Sequence, residues 1–214
     1  MTAASSGDTV MIMDSYQYTE QGSFSGDNIA LCSATGEFPR ITSPSCGIIT
    51  MANDYCVLDS VWVGLNTGCG AITITGDHNI IQNCTVDSCG SDFTTGDSGF
   101  GLMVGTAADT ANGGACYNII RNNRLRAAGH DILGLQSAYN WVDEIPDSSV
   151  GNHIYGNTIN NPYGHGISLL YQWTCYNLIE NNVVRTDSLS DMRDTKVPLQ
   201  TSGVCHNTIR GNVF

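Results

Sequence analysis

The sequence predicts an all-β solenoid in which one supersecondary unit is repeated along the chain, and two observations carry that reading. The first is a short phrase that recurs five times: NIIQNCTV (79–86), NIIRNNRL (118–125), NHIYGNTI (152–159), NLIENNVV (177–184) and NTIRGNVF (207–214). A degenerate earlier copy, YCVLDSVW (55–62), has Tyr55 where the others have Asn. Each copy places an apolar residue two positions after its start (Val57, Ile81, Ile120, Ile154, Ile179, Ile209) and closes on another (Trp62, Val86, Leu125, Ile159, Val184, Phe214). The steps along that series are 24, 39, 34, 25 and 30 residues, a minimum with loop-sized excesses, as expected when each repeat is one stacked coil. The second observation is the residue type. The phrase is too short and too rich in β-branched residues and Asn to be a helical repeat.

Within the phrase a small polar residue recurs at Ser60, Cys84, Asn123, Asn157, Asn182 and Asn212. Asn suits a tight bend because it tolerates left-handed φ. Stacked at the strand spacing of about 4.8 Å, it forms an amide ladder in which Cys84 and Ser60 are small substitutes. This pattern resembles the right-handed parallel β-helix family, the pectate-lyase-like (pectin lyase-like) and polygalacturonase-like solenoids, over residues 7–214. The resemblance implies a right-handed parallel β-helix of about seven coils.

A second strand follows in each coil: GAITI (70–74), GFGLMV (99–104), HDILGL (130–135), GHGISLL (164–170) and TKVPLQ (195–200). Aligning apolar pairs turns Ile72/Ile74, Phe100/Leu102, Leu133/Leu135, Ile167/Leu169 and Val197/Leu199 inward, and a one-residue slip would turn any of these strands over. GDTVMIMDSYQYTE (7–20) reads as the opening strand and turn, followed by NIALCSATGEFPRITSP (28–44). Only MTAASS precedes Gly7, and the last residue, Phe214, falls at an inward strand position. Residues 1–214 are therefore expected to form a single domain without terminal caps, either a fragment or a solenoid whose ends are covered by another chain. An open end exposes sheet edges, so self-association through the ends is expected.

Composition narrows the function. The 214 residues carry a formal net charge of −12 with 8 Lys and Arg, which argues against nucleic acid and anionic membranes as partners. No apolar run reaches membrane-spanning length, and residues 1–15 lack a signal peptide's basic start and apolar core. Membrane insertion is not expected. An extracellular or cell-surface address would have to come from a trimmed leader or from upstream sequence. Nine cysteines are many for this length. Cys116, Cys175 and Cys205 each lie two residues before a phrase Asn, so they share one column and are expected to point inward as small core residues. Cys175 and Cys205, from adjacent coils, are also within disulfide reach, and the odd count leaves at least one thiol free or paired between chains. There is no CxxC and no zinc-like Cys/His spacing, so neither a metal nor another cofactor is expected.

The chemistry-bearing residues gather just ahead of the second strand. The pairs Asp97-Ser98, His130-Asp131, Gly164-His165 and Asp194-Thr195 come from successive coils, about 5 Å apart along the axis. One solvent-facing strip would then carry Asp97, His130, Asp131, His165 and Asp194, with Arg193 and Lys196 beside the last rung. Carboxylates this close push one pKa up, giving one acid and one base, the minimum equipment for glycoside hydrolysis. Tyr163, Tyr171 and Trp173 flank the strip as candidates for stacking on sugar, and Trp141 lies in a long excess, residues 139–149, that would wall a groove. Against this stands turn chemistry: Gly-His-Gly and Gly-His-Asp are natural turn sequences, and Asp ahead of a strand often bonds its own backbone.

The strip also resembles the polygalacturonase motifs, which run Asn-Thr-Asp, Asp-Asp, Gly-His-Gly and Arg-Ile-Lys on successive coils. GHGIS (164–168) matches the third, Asp131 matches the second Asp of the pair, and Asp97 matches the first motif with one residue inserted. His130 replaces one Asp, and MRDTK (192–196) only approximates the last motif. The resemblance implies Asp131 as general acid, Asp97 in water activation and His165 tuning the acid and contacting sugar. Arg193 or Lys196 would hold a substrate carboxylate. Two function classes follow. One is an extracellular carbohydrate-active or carbohydrate-binding protein acting on a polysaccharide or surface glycan, a hydrolase or lyase if an enzyme. The other is a non-catalytic filament, sheath or coat protein built by coil stacking and cysteine cross-links.

Overall fold

The protein is described by a computed structural model that covers residues 4–44, 47–66, 70–89, 99–105, 114–137, 148–160, 164–171, 173–185 and 197–214. Three parallel sheets run the length of the molecule, and there is no helix among the described residues. The first sheet stacks eight strands in chain order: Thr9–Ile12, Ala30–Ser33, Val57–Asp59, Ile80–Gln82, Ile119–Arg121, His153–Tyr155, Leu178–Glu180 and Thr208–Arg210. The second holds seven, from Gln17–Thr19 to Val183–Arg185, and the third seven, from Gly22–Ser23 to Leu199–Ser202. The chain visits the three sheets in turn and then starts the next coil. The fold is a parallel β-helix.

The interior is built from residue files along the axis. Ile81, Ile120, Ile154, Ile179 and Ile209 pair in register as expected, and the first four are fully buried. The degenerate copy sits one residue later than its spelling suggests. Ile80 pairs with Val57 and Ile81 with Leu58, so Leu58 joins the file and Val57 faces outward. Likewise Val63, not Trp62, pairs with Val86. Trp62 lies on the outer face, with the Arg40 guanidinium carbon 4.3 Å from its ring centre. Tyr55 misled the alignment: it stands at φ 57°, at the bend one residue ahead of the slot that Cys56 fills in place of Asn.

The Asn positions form two ladders. In one, Asn157 donates its backbone N–H to Asn182 Oδ1 at 3.0 Å, as Asn123 does to Asn157 and Asn182 to Asn212, each at 2.9 Å. Cys84 occupies the rung above, its N–H bonded to Asn123 Oδ1 at 2.9 Å. Val61, rather than Ser60, stands in line with Cys84 once the slip is corrected. The first Asn of each phrase makes the second ladder: Asn79, Asn118, Asn152, Asn177 and Asn207. The ladder Asn itself is not the left-handed residue. That conformation falls one position earlier, at Asn83, Asn122, Gly156, Asn181 and Gly211 beside one ladder and at His78, Tyr117, Gly151, Tyr176 and His206 beside the other. The left-handed residue turns the chain, which aims the next side chain along the axis and buries it.

Cys175 and Cys205 are joined in a disulfide. Their column is not uniformly interior: Cys175 is buried, Cys116 half-buried and Cys205 exposed. The column immediately precedes the left-handed bend, so its sulfur atoms lie at a corner of the coil. The core cysteines are others, among them Cys56, Cys84 and Cys89.

Candidate functional site

The N-terminal edge of the third sheet gathers the predicted imidazoles. Its register aligns Leu102, Leu133, Ile167 and Leu199 as an inward row. Two residues earlier this places Asp131 and His165 at one level, with Phe100 and Val197 on either side. Phe100 and Val197 therefore lie at the mouth of the strip, and the inward pairs in their coils begin at Leu102 and Leu199. A two-residue shift preserves the face of the strand, which is why alternation alone did not detect it.

The two glycines of Gly-His-Gly are required by packing. A Cβ on Gly164 would stand 1.6 Å from the carbonyl oxygen of His130, and one on Gly166 2.6 Å from that of Pro198. Successive coils touch backbone to backbone there, which holds His165 between two fixed points. Its Nδ1 accepts the Val197 N–H at 3.1 Å. Accepting at Nδ1 leaves the proton on Nε2, so neutral His165 is a donor at Nε2. Burial holds its pKa below the ordinary histidine value; the Asp131 charge works the other way and His130 adds to the depression. The ring is therefore neutral at neutral pH.

His130 is the complement. Its Nδ1 lies 3.0 Å from Asp131 Oδ1, and its side chain is 39% exposed while that of Asp131 is 0% exposed. The contact is too bent for a full hydrogen bond and acts through charge. A carboxylate oxygen this close to Nδ1 favours the proton there and leaves the lone pair on Nε2. The expectation of a solvent-facing Asp131 is not met. The strand that follows turns Ile132 and Leu133 into the coil and takes the carboxylate under His130. Neither Asp131 oxygen has a hydrogen-bond partner among the described residues. A buried carboxylate in that state is costly unless a neighbouring cation or a catalytic role accounts for it.

The ring centres of His130 and His165 are 6.1 Å apart, edge to face, and Phe100 leans on His130 at 5.5 Å. Phe100 also covers Gly134, where a Cβ would be 3.1 Å from its ring. On the outer face of the sheet, Thr73, Met103, Gly134, Ser168 and Gln200 run along the axis as a floor that is polar except at Met103 and Gly134. Tyr171 and Trp173 lie past the other end of strand Ile167–Leu170. Tyr171 is six residues from His165, about 20 Å of extended chain, so the structure does not bring it to the imidazoles. Asp97, Asp194, Arg193, Lys196, Trp141 and Tyr163 lie outside the described residues. Among the described residues no three His, Cys, Asp or Glu side chains gather to hold a metal ion, and no helix is long and apolar enough to cross a membrane.

Sequence reasoning missed Phe100 as a wall and the burial of Asp131. It also missed a column of rings at the bends, although Tyr55, His78, Tyr117, Tyr176 and His206 each stand one residue ahead of a ladder position. On the first sheet's outer face, Glu180 joins His153 at 2.9 Å and Arg210 at 2.7 Å. These partners, Arg210 first, hold the Glu180 carboxyl below its ordinary range.

This geometry defines a parallel β-helix with a pair of imidazoles at the edge of one sheet. Solved structures share the fold. An alginate lyase from Paenibacillus sp. str. FPU-7 superposes with a TM-score of 0.73 at 14% identity, covering 97% of this chain and 69% of that one. The A-module of the mannuronan C-5 epimerase of Azotobacter vinelandii superposes with a TM-score of 0.52 at 11% identity, covering 94% of this chain and 52% of that one. No protein-family model and no curated protein sequence matches the chain.

Proposed function

We propose that the protein acts on a uronate polysaccharide by removing the proton α to a sugar carboxyl group, with His130 as base and His165 as neutral hydrogen-bond donor. The observation that carries the reading is the opposite Nδ1 contacts of the two rings, His130 Nδ1 3.0 Å from a carboxylate oxygen of Asp131 and His165 Nδ1 accepting the Val197 N–H, which favour a lone pair on His130 Nε2 and a proton on His165 Nε2. His130 takes the C5 proton, and the C–H electron pair moves into the carboxyl group. His165 stabilises the resulting enolate by donation, as a neutral imidazole in a partly desolvated site can. The pair then either expels O4, forming a C4–C5 double bond with the proton passing from His130 to the departing oxygen, or takes a proton at C5 from water on the opposite face while His130 returns its proton to solvent. Asp131, buried behind His130, holds its tautomer and stabilises the imidazolium. Arg193 or Lys196 is the proposed partner of the substrate carboxylate.

Two solved structures of this fold act on such polymers, one by its name as an alginate lyase and one as a mannuronan C-5 epimerase. Hydrolysis by paired carboxylates is less well supported, since Asp131 does not reach solvent. A polymer of this kind is met outside the cell, which fits an extracellular or surface address. The filament or coat reading draws on cysteine cross-links between chains. Among the described cysteines, however, Cys175 and Cys205 are paired within the chain and Cys56, Cys84 and Cys89 are buried, which leaves Cys32 and Cys116 as the partly exposed free thiols.

Incubation with alginate oligomers in D2O tests the proposal. Ultraviolet absorbance from an unsaturated uronate marks elimination, and deuterium at C5 without chain cleavage marks epimerisation. New reducing ends without absorbance would mean hydrolysis, and the absence of all three signals removes the proposal.

A further inference from the structure

The left-handed residue ahead of each phrase carries a ring in every coil but one from Tyr55 onward: Tyr55, His78, Tyr117, Gly151, Tyr176 and His206. The rings are exposed and nearly coplanar in stacking. Tyr55 and His78 are 4.7 Å apart at 1°, His78 and Tyr117 5.1 Å at 11°, and Tyr176 and His206 4.9 Å at 8°. Stacked rings spend their faces on each other and offer solvent mainly edges. Gly151 breaks the column. Tyr117 is stacked on one face, by His78, and Tyr176 on one face, by His206. The two tyrosines make no ring contact with each other, and they are 54% and 63% exposed.

We propose that the break at Gly151 is a binding slot for one pyranose ring of a glycan chain, roofed by Tyr117 and floored by Tyr176. The two tyrosines are two coil steps apart, about 9.6 Å at a strand spacing of about 4.8 Å. A single ring placed between them continues the column at the spacing its neighbours already keep. That spacing is loose for two flat aromatics in contact and suits the thicker chair of a sugar, whose C–H faces pack on aromatic faces while its hydroxyl groups point edgewise to water. Only glycine permits the roof. A Cβ at Gly151 would lie 2.6 Å from both Cδ1 and Cε1 of Tyr117. The floor is tied down, because the Cys175–Cys205 disulfide immediately precedes Tyr176 and His206 and links their coils. One carboxylate lies beside the roof, where Asp77 Oδ1 accepts the Cys116 N–H at 2.7 Å. Cys116, Val150 and Cys175 stand ahead of Tyr117, Gly151 and Tyr176, where the coils of Tyr55 and His78 have Asp54 and Asp77.

The slot lies at a different corner of the coil from His130 and His165 and takes only the identity of the polymer from the proposed function. It would hold a chain beside the groove without taking part in its chemistry. The test is titration of the intact protein with alginate trisaccharide, read by saturation-transfer NMR and calorimetry, alongside turnover of the polymer. Tyr176→Ala is expected to weaken trisaccharide binding at least tenfold while turnover of a short oligomer is unchanged, because Tyr176 is exposed and outside the groove. Gly151→Ala is expected to do the same by pushing the Tyr117 ring out of its place, since a Cβ there would lie 2.6 Å from that ring; Tyr176→Ala carries the test if that variant fails to fold. Wild-type affinity in Tyr176→Ala overturns the slot, as does binding of indole in place of the sugar. A protein that turns nothing over yet loses trisaccharide binding with Tyr176 keeps the slot and loses the enzymatic reading. The reverse result keeps the enzyme and loses the slot.

Discussion

Asn182 Oδ1 accepts two hydrogen bonds from Asn157, from the backbone N–H at 3.0 Å and from Nδ2 at 2.9 Å, with both residues buried. Asn182 Nδ2 in turn donates to the Ile154 carbonyl at 3.0 Å. Each rung thus satisfies two backbone groups of the coil before it. Asn182→Ala leaves the Asn157 N–H and the Ile154 carbonyl short of partners, at about 1–3 kcal/mol for each buried group unpaired. Chemical denaturation should show a loss in that range. Asn212→Ala, in a half-buried rung, should cost less.

The isoleucine file gives a graded series. Ile154 and Ile179 are fully buried, and truncation of either to Ala should cost about 2–5 kcal/mol through lost burial and the cavity left behind. Ile209 occupies the same file but is 38% exposed. Ile209→Ala should therefore cost well under half as much. Equal melting temperatures for the Ile154 and Ile209 variants would contradict the interior file.

How much of this was legible in the sequence depended on whether a residue repeats. Ile81 to Ile209 and Asn123 to Asn212 recur at the same point of each coil, so spacing alone found the file and the ladder. Tyr55 broke the pattern because a bend residue stood where an Asn was sought, and Cys56, which fills the slot, is not an amide. Phe100 and Val197 were misplaced because a shift of two leaves the alternation intact. The imidazoles were found, but the burial of Asp131 was not. Whether a residue just ahead of a strand points in or out is decided by how its coil packs on the next, here by the Gly164 backbone pressed on His130.

In the proposed site, His130→Gln should lower kcat by about 10²–10⁴-fold, the usual contribution of a positioned base. Asp131→Asn should lower kcat with little change in KM, because the side chain is fully buried and cannot touch a ligand. It should also shift the pH profile, since the charge that holds the His130 tautomer is gone. An Asp131→Asn enzyme with altered KM and unchanged kcat would show that this residue does not act through His130.

The depressed pKa of His165 has a consequence for stability. In the unfolded chain this ring takes a proton at the ordinary histidine value, and in the folded protein only at lower pH. Between the two values the unfolded state binds more protons, so stability rises with pH across that window and falls as pH is lowered through it. His165→Gln should flatten this dependence. From neutral pH down to mildly acidic pH, the denaturation midpoint of wild type should fall more steeply than that of the variant.

The cysteines separate by reactivity. Burial pushes the Cys84 thiol up to about 12 and the Cys89 thiol higher still, so neither presents a thiolate at neutral pH. Cys116 is half-buried and its thiol is raised less, again by burial first, while Cys32 is only partly covered. Among the described cysteines, a thiol reagent applied to the native protein should therefore modify Cys32 and Cys116 first and leave Cys84 and Cys89 untouched until denaturant is added. Cys175 and Cys205 should react only after reduction, which frees the tie between their coils. Mapping the modified peptides by mass spectrometry, with and without reductant, gives the order. Early labelling of Cys84 in the folded protein would show that its rung above Asn123 is open to solvent and that the interior ladder is not closed there.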